Sequence, residues 1–167
     1  MLCPDSRDAH YAWKTLLDEP YGNGKTYGDY IDMNVSPFVL PYHVHSYQMT
    51  QIVPLLQDKC ADDESTCQME AYAELCWSHL GEILAMKDTS ENDFMNSYWA
   101  PKVVSTLTGV TEDEIFALFS DHDSHDSDWR VREFWKYGAS IGVAGAPYAT
   151  VNGVMLDSYP TEEADWK

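Results

Sequence analysis

Apolar residues recur along this chain with two different periods, and the places where each period holds set out the elements it predicts. Between Asp5 and Leu17 they fall at Ala9, Ala12, Trp13, Leu16 and Leu17, the spacing of an amphipathic helix whose N-terminus lies at Cys3-Pro4. The turn-rich stretch EPYGNGKTYGDY leads into YIDMNV, where Ile31, Met33 and Val35 alternate as in a strand. SPFVLPYHVHS follows, and its two prolines forbid a regular helix. From His45 a helical period resumes through Met49, Ile52, Val53 and Leu56, with a kink expected at Pro54. Ser65 to Met86 reads as one long helix with Met69, Tyr72, Ala73, Cys76, Leu80, Ile83 and Leu84 on one face.

Punctuation residues mark the remaining elements. Pro101 suits the first turn of a helix running through Leu107, and Thr111 with Glu114 forms a capping box before Ile115, Phe116, Leu118 and Phe119. Ser127 or Asp128 can cap a last helix bearing Val131, Phe134, Trp135, Gly138 and Ile141. Beyond it, YATV and VML flank Asn152-Gly153, a strong signal for a two-residue hairpin turn. Helix, strand, a block of helices and a hairpin make a mixed α/β domain: a small sheet with an all-α block inserted between its halves. One domain over 1–167 is expected, with the insertion at 58–127.

Charge narrows the classes of partner. With 28 acidic against 10 basic residues the formal charge is −18, so a nucleic-acid backbone is repelled and is excluded as a partner. Apolar runs stop well short of the roughly 20 residues that span a bilayer, so no membrane insertion is expected. Four cysteines (Cys3, Cys60, Cys67 and Cys76) are too few and too uneven for a disulfide scaffold. Cys60 and Cys67 bracket a polar loop and would close a small disulfide in an oxidising compartment such as a secretory or organellar lumen, or stay as two thiols elsewhere. Cys76 lies on an apolar helix face and reads as core.

Three stretches carry a resemblance. CPDSRDAHYAW, SPFVLPYHVHS and KYGASIGVAGAPYATVNG, in this order around a helical block, resemble the active-site turn, the loop after the next strand, and the approach to the cis-proline in the DsbA-like branch of the thioredoxin-like fold. The resemblance implies a disulfide oxidoreductase architecture with Cys3 in the place of the attacking cysteine and Ser6 where the second cysteine of CxxC usually stands. It also implies a cis Ala146-Pro147 bond, with the Ala146 backbone presented beside Cys3 to an extended substrate strand and Pro4 opening the helix. Against the family pattern, little chain precedes Cys3 to form the central strand and the closing helix only begins at Thr161. A fragment, or a partner chain completing the sheet, is therefore expected.

A cysteine at a helix N-terminus has its thiolate stabilised by unsatisfied N–H groups and the helix dipole, while Pro4 sacrifices only an N–H that had no partner. Asp5 opposes that effect and Arg7 is expected to offset part of it. With Ser6 no internal sulfur can resolve a mixed disulfide, because a hydroxyl forms none. Two functions remain: a monothiol cycle on protein or peptide thiols, with glutathione as co-substrate and no bound cofactor, or a redox-silent scaffold that binds a protein. His43 and His45 follow the predicted strand, and His43 is the candidate to stabilise the Cys3 thiolate or carry its proton.

Other motifs weigh less. DHDSHDSD has metal-ligand residue types but reads as a solvated loop, so no metal site is assigned there. GNGKT fails as a phosphate-binding loop because the required first glycine falls at Glu19. Asn34-Val35-Ser36 matches a glycosylation acceptor on a predicted strand and is expected to stay unmodified. Trp13, Trp135 and Tyr72 fall on helix faces and are expected in the core.

Overall fold

The computed structural model describes residues 2–120, 123–156 and 161–166. Its elements are 58% helix and 6% strand, so helix packing carries the fold. The first helix, α1 (Pro4–Asp18), has Cys3 as its N-cap and Pro4 in its first turn, and it buries Ala9, His10, Ala12 and Leu16. Trp13, on the same predicted face, is half-buried. A hairpin follows, β1 (Pro20–Gly22) against β2 (Lys25–Thr26), turning on Asn23 and Gly24 with φ of 54° and 74°. Positive φ at both loop positions is what Asn-Gly supplies at little cost, and the GNGKT stretch takes that form.

The strand predicted over YIDMNV does not form: residues 31–40 have no regular structure, and Ile31 and Val35 are exposed. A strand exists only where a neighbour accepts its backbone hydrogen bonds, and among the described residues none lies alongside. Among the described residues the helices are joined by two separate two-stranded antiparallel sheets, which is compatible with the expected mixed α/β class but is not one mixed sheet. The second is the expected hairpin, β3 (Thr150–Val151) and β4 (Val154–Met155), with Asn152 and Gly153 at φ 50° and 83°.

Between the hairpins the helices meet obstacles that the periodicity passed over. The segment from His45 splits into α2 (Ser46–Thr50) and α3 (Ile52–Asp62), with the break at Gln51 rather than at Pro54. The pyrrolidine ring of Pro54 opposes the Thr50 carbonyl one turn back, so the ladder opens there. The long helix expected over 65–86 is a 3-10 turn (Glu64–Thr66), α4 (Met69–Ser78) and α5 (Leu80–Ala85), divided at His79. The Ser78 hydroxyl donates to the Leu75 carbonyl at 2.9 Å, and His79 Nδ1 lies 3.2 Å from the same oxygen, so side chains replace the ladder at the break. Leu84, past the break, is exposed.

The helix predicted from Pro101 starts earlier. Ser90 caps α6 (Glu91–Phe94), which passes through a π-helical turn (Met95–Trp99) into α7 (Ala100–Thr106). Ala100 N–H reaches back to the Met95 carbonyl, one residue further than in an α-helix, just before Pro101, which has no N–H to give. Thr111 and Glu114 form the expected capping box on α8 (Glu112–Ala117). The last helix, α9 (Ser127–Ser140), has Asp126 rather than Ser127 or Asp128 at its N-cap position, and the Asp126 side chain makes no cap bond; the Asp123 carboxylate accepts from the Ser127 N–H at 2.8 Å instead. Thr161 and Glu162 lead into a 3-10 turn (Glu163–Trp166) packed on α1, with Asp165 accepting from both their N–H groups.

The core lies inside this helical block. Met49, Ile52, Leu55, Leu56, Tyr72, Cys76, Ile83, Phe94, Trp99, Val103, Ile115 and Leu118 are all essentially inaccessible, and Leu2 joins them. Trp99 Nε1 donates to the Tyr72 hydroxyl at 3.1 Å, and that hydroxyl donates to the Met49 carbonyl at 2.6 Å, so the polar tips of two large rings are satisfied indoors. Cys76 is core as expected, and burial pushes its thiol up to about 12. Trp135 departs from expectation. It is 46% exposed and stacked 6.3 Å from the half-buried Phe38, which approaches α9 over Gly138, where a Cβ would sit 2.7 Å from the Phe38 ring.

Candidate functional site

The helix opening at Pro4 leaves Cys3 with extended backbone, φ −96° and ψ 122°, and its carbonyl accepts from the Arg7 N–H. Its sulfur makes no cap bond to the helix N-terminus. Cys3 Sγ donates to the Ala146 carbonyl at 3.2 Å, across 143 positions of sequence. The next bond, Ala146-Pro147, is cis. The structure therefore brings together Cys3, Pro4, Ala146 and Pro147, four of the six residues singled out in the sequence.

The immediate surroundings of the sulfur are as follows. No first-turn N–H bonds to the Cys3 sulfur, whose hydrogen bond goes to the Ala146 carbonyl instead. Arg7 pairs with its neighbour Asp8 through Nε and NH2, so its charge is directed there. Cys3 is 7% exposed, which means that a reacting partner must first open the contact with Ala146. Ser6 is half-buried on the first turn of α1.

The histidines separate. His43 sits in a turn, edge-on to the Tyr42 ring, and burial lowers its pKa; no hydrogen bond joins it to Cys3. His45 is buried away from the site: its ring stacks 4.0 Å from Phe94 and its Nε2 lies 3.0 Å from the Met86 carbonyl. With φ of 72° it terminates the coil and starts α2, which is a structural task.

The acidic run before α9 is tied down more than a solvated loop would be, though Asp121 and His122 lie outside the described residues. His125 Nδ1 lies 2.6 Å from Asp58 Oδ2, and Arg130 NH1 donates to Asp58 Oδ1 at 2.7 Å, fastening α9 to α3. Burial works to raise the Asp58 pKa, but the bonds from His125 and Arg130 outweigh it and leave the pKa below the usual value.

Cys60 and Cys67 form a disulfide that joins the end of α3 to the chain entering α4. A shallow depression of about 380 Å³ lies beside it, lined by Lys59, Asp62, Thr66, Gln68 and Thr108 among others; none of the Cys3 group borders it.

A second cluster escaped the sequence reading. His10 on α1 meets Glu70 and Glu74 on α4, with one ligand-capable atom of each within 4.8 Å of the others. Burial lowers the His10 pKa although both glutamates act to raise it. The spacing of Glu70 and Glu74 does put both carboxylates on one helix face, but nothing in the pattern says that α1 lies against that face.

Comparison with family models, with curated proteins and with solved structures gave no match. Among the described residues no helix is long and apolar enough to cross a membrane.

Proposed function

We propose that this chain is a DsbA-like, thioredoxin-like domain whose Cys3 exchanges disulfides with protein or peptide thiols. The observation that supports the reading best is the approach of Cys3 Sγ to the Ala146 carbonyl, where Pro4 follows Cys3 in the chain and a cis bond joins Ala146 to Pro147. In the cycle, the Cys3 thiolate attacks a client disulfide, a Cys3–client bond forms and the client's other sulfur leaves as a thiolate. A second thiolate, such as that of glutathione, then attacks the client sulfur of that bond and releases Cys3 as thiolate. The client leaves carrying the glutathione sulfur; bonds exchange with no net change of oxidation state. The Ala146 backbone, freed from the Cys3 thiol, is available to an extended client segment.

A redox-silent scaffold is the second reading, and the 7% exposure of Cys3 and its turned-in thiol favour it. Incubation of the native protein with oxidised glutathione, followed by peptide mass mapping, separates the two. The exchange reading expects a glutathione adduct on Cys3 that Cys3→Ser abolishes, with the inaccessible Cys76 unmodified as an internal control. An adduct that appears on Cys3 only after denaturation leaves the scaffold.

A further inference from the structure

We propose that His10, Glu70 and Glu74 form a binding site for a first-row divalent cation of the zinc type, clasped between α1 and α4 and separate from the Cys3 group. The residue that points to a ligand is His10. It is only 9% exposed, and its Nε2 is shielded from solvent with no hydrogen-bond partner. A buried ring nitrogen left unpaired forfeits its hydration with nothing in return, so a sound fold gives it something to do. The nearest carboxylate oxygen, Glu74 Oε1, is 3.8 Å away, too far for a hydrogen bond and close to the separation of two ligands on one ion. With metal–ligand bonds of about 2.0–2.2 Å, tetrahedral ligand atoms stand about 3.4 Å apart.

The surroundings of the three ligands suit an ion. Tyr11 donates from its hydroxyl to Glu74 Oε2 at 2.5 Å, which holds that carboxylate by one oxygen and leaves Oε1 facing His10. Outer partners of this kind orient ligating carboxylates and tune affinity. Trp13 and Trp77 flank the imidazole at 4.8 and 4.6 Å between ring centroids and fix its plane. On the solvent side Glu70 and Glu74 are 58% and 37% exposed, so an ion has an entry path and room for a water as fourth ligand. Lys14 is paired with Glu70, and its ammonium must swing into solvent for the ion to enter; with its side chain 45% exposed it can do so. One imidazole with two carboxylates suits zinc and its neighbours in the first transition row better than calcium, which takes six to eight oxygens.

The test is calorimetric titration of the chelator-stripped full chain with zinc chloride, paralleled by tryptophan fluorescence read from Trp13 and Trp77. One equivalent of zinc is expected to bind and to change the fluorescence. His10→Ala and Glu74→Gln are each expected to weaken binding by about tenfold or more, and Tyr11→Phe by about tenfold. Lys14→Met is expected to tighten it, because Glu70 loses its competing partner. Glu74→Gln, at a partly exposed position, keeps the test valid if His10→Ala loosens the helix pair, and thermal melts without metal verify that each variant folds. Absence of saturable zinc binding overturns the proposal. So does binding that both His10→Ala and Glu74→Gln leave unchanged, or that calcium reproduces at equal affinity, since an acidic surface alone would give that.

Discussion

The helical block and the two hairpin regions obey different rules. Within α2 to α8 side chains such as Trp99, Tyr72, Phe94 and Ile115 are wholly buried and their polar tips are paired. In the hairpins and the coil over 31–40, Tyr21, Val35, Val151 and Val154 are more than half exposed, and each sheet is only two strands wide. Two short strands hide few apolar atoms and share few hydrogen bonds, so an isolated hairpin is marginal on its own. The Cys3 group bridges the two regimes: its sulfur stands on a helix packed at the edge of the block, while Ala146 arrives on the irregular chain leading to β3.

The largest contrast is between Trp99→Ala and Val151→Ala. The first removes a fully buried ring and the donor to Tyr72, and is expected to cost about 3–5 kcal/mol in urea unfolding; the second, on an exposed strand, is expected to cost less than about 0.5 kcal/mol. Comparable losses would mean that the hairpin is buried in solution and the contrast is false. Next, the double variant Cys60→Ser/Cys67→Ser releases a short loop at the rim of the block. On the chain-entropy account this lowers stability by about 2.5 kcal/mol, and protein treated with reductant is expected to fall by the same amount.

The smallest effect concerns the seam between α3 and α9. The folded-state pKa of Asp58 lies below its unfolded value, so its contribution is present above about pH 4 and lost as pH falls through the folded value. Asp58→Asn is therefore expected to be less stable than the native chain at pH 7 and to approach it as the pH falls below about 4 and through the folded-state value. Urea midpoints measured across that range give the test, and parallel curves would show that the Asp58, His125 and Arg130 cluster contributes nothing.

Much of the local structure was legible. The capping box at Thr111 and Glu114, the start of α1 at Cys3-Pro4 and the turn at Asn152-Gly153 each follow from rules acting over four or five residues, and the structure has all three. The Asn-Gly signal was equally present at Asn23-Gly24, although the sequence reading passed over it as a turn-rich stretch. Periodicity failed where one residue breaks a ladder, at Gln51 upstream of Pro54 and at His79 beside Ser78, because a period records which face is apolar and says nothing of continuity. It failed again at Ile31 to Val35, whose alternation needs a neighbour to become a strand.

The sequence by itself determined where helices begin, which faces are apolar and where the chain must turn, since propensity, capping and turn chemistry act between near neighbours. The approach of Cys3 to Ala146 was expected only through a resemblance and from no local rule, and only the tertiary structure decided that Trp135 stays at the surface over Phe38 and that an unpaired nitrogen of His10 faces Glu74 across two helices. Those contacts join residues tens to more than a hundred positions apart. They are set by how the buried faces pack against one another, which is a property of the whole core that no local pattern encodes.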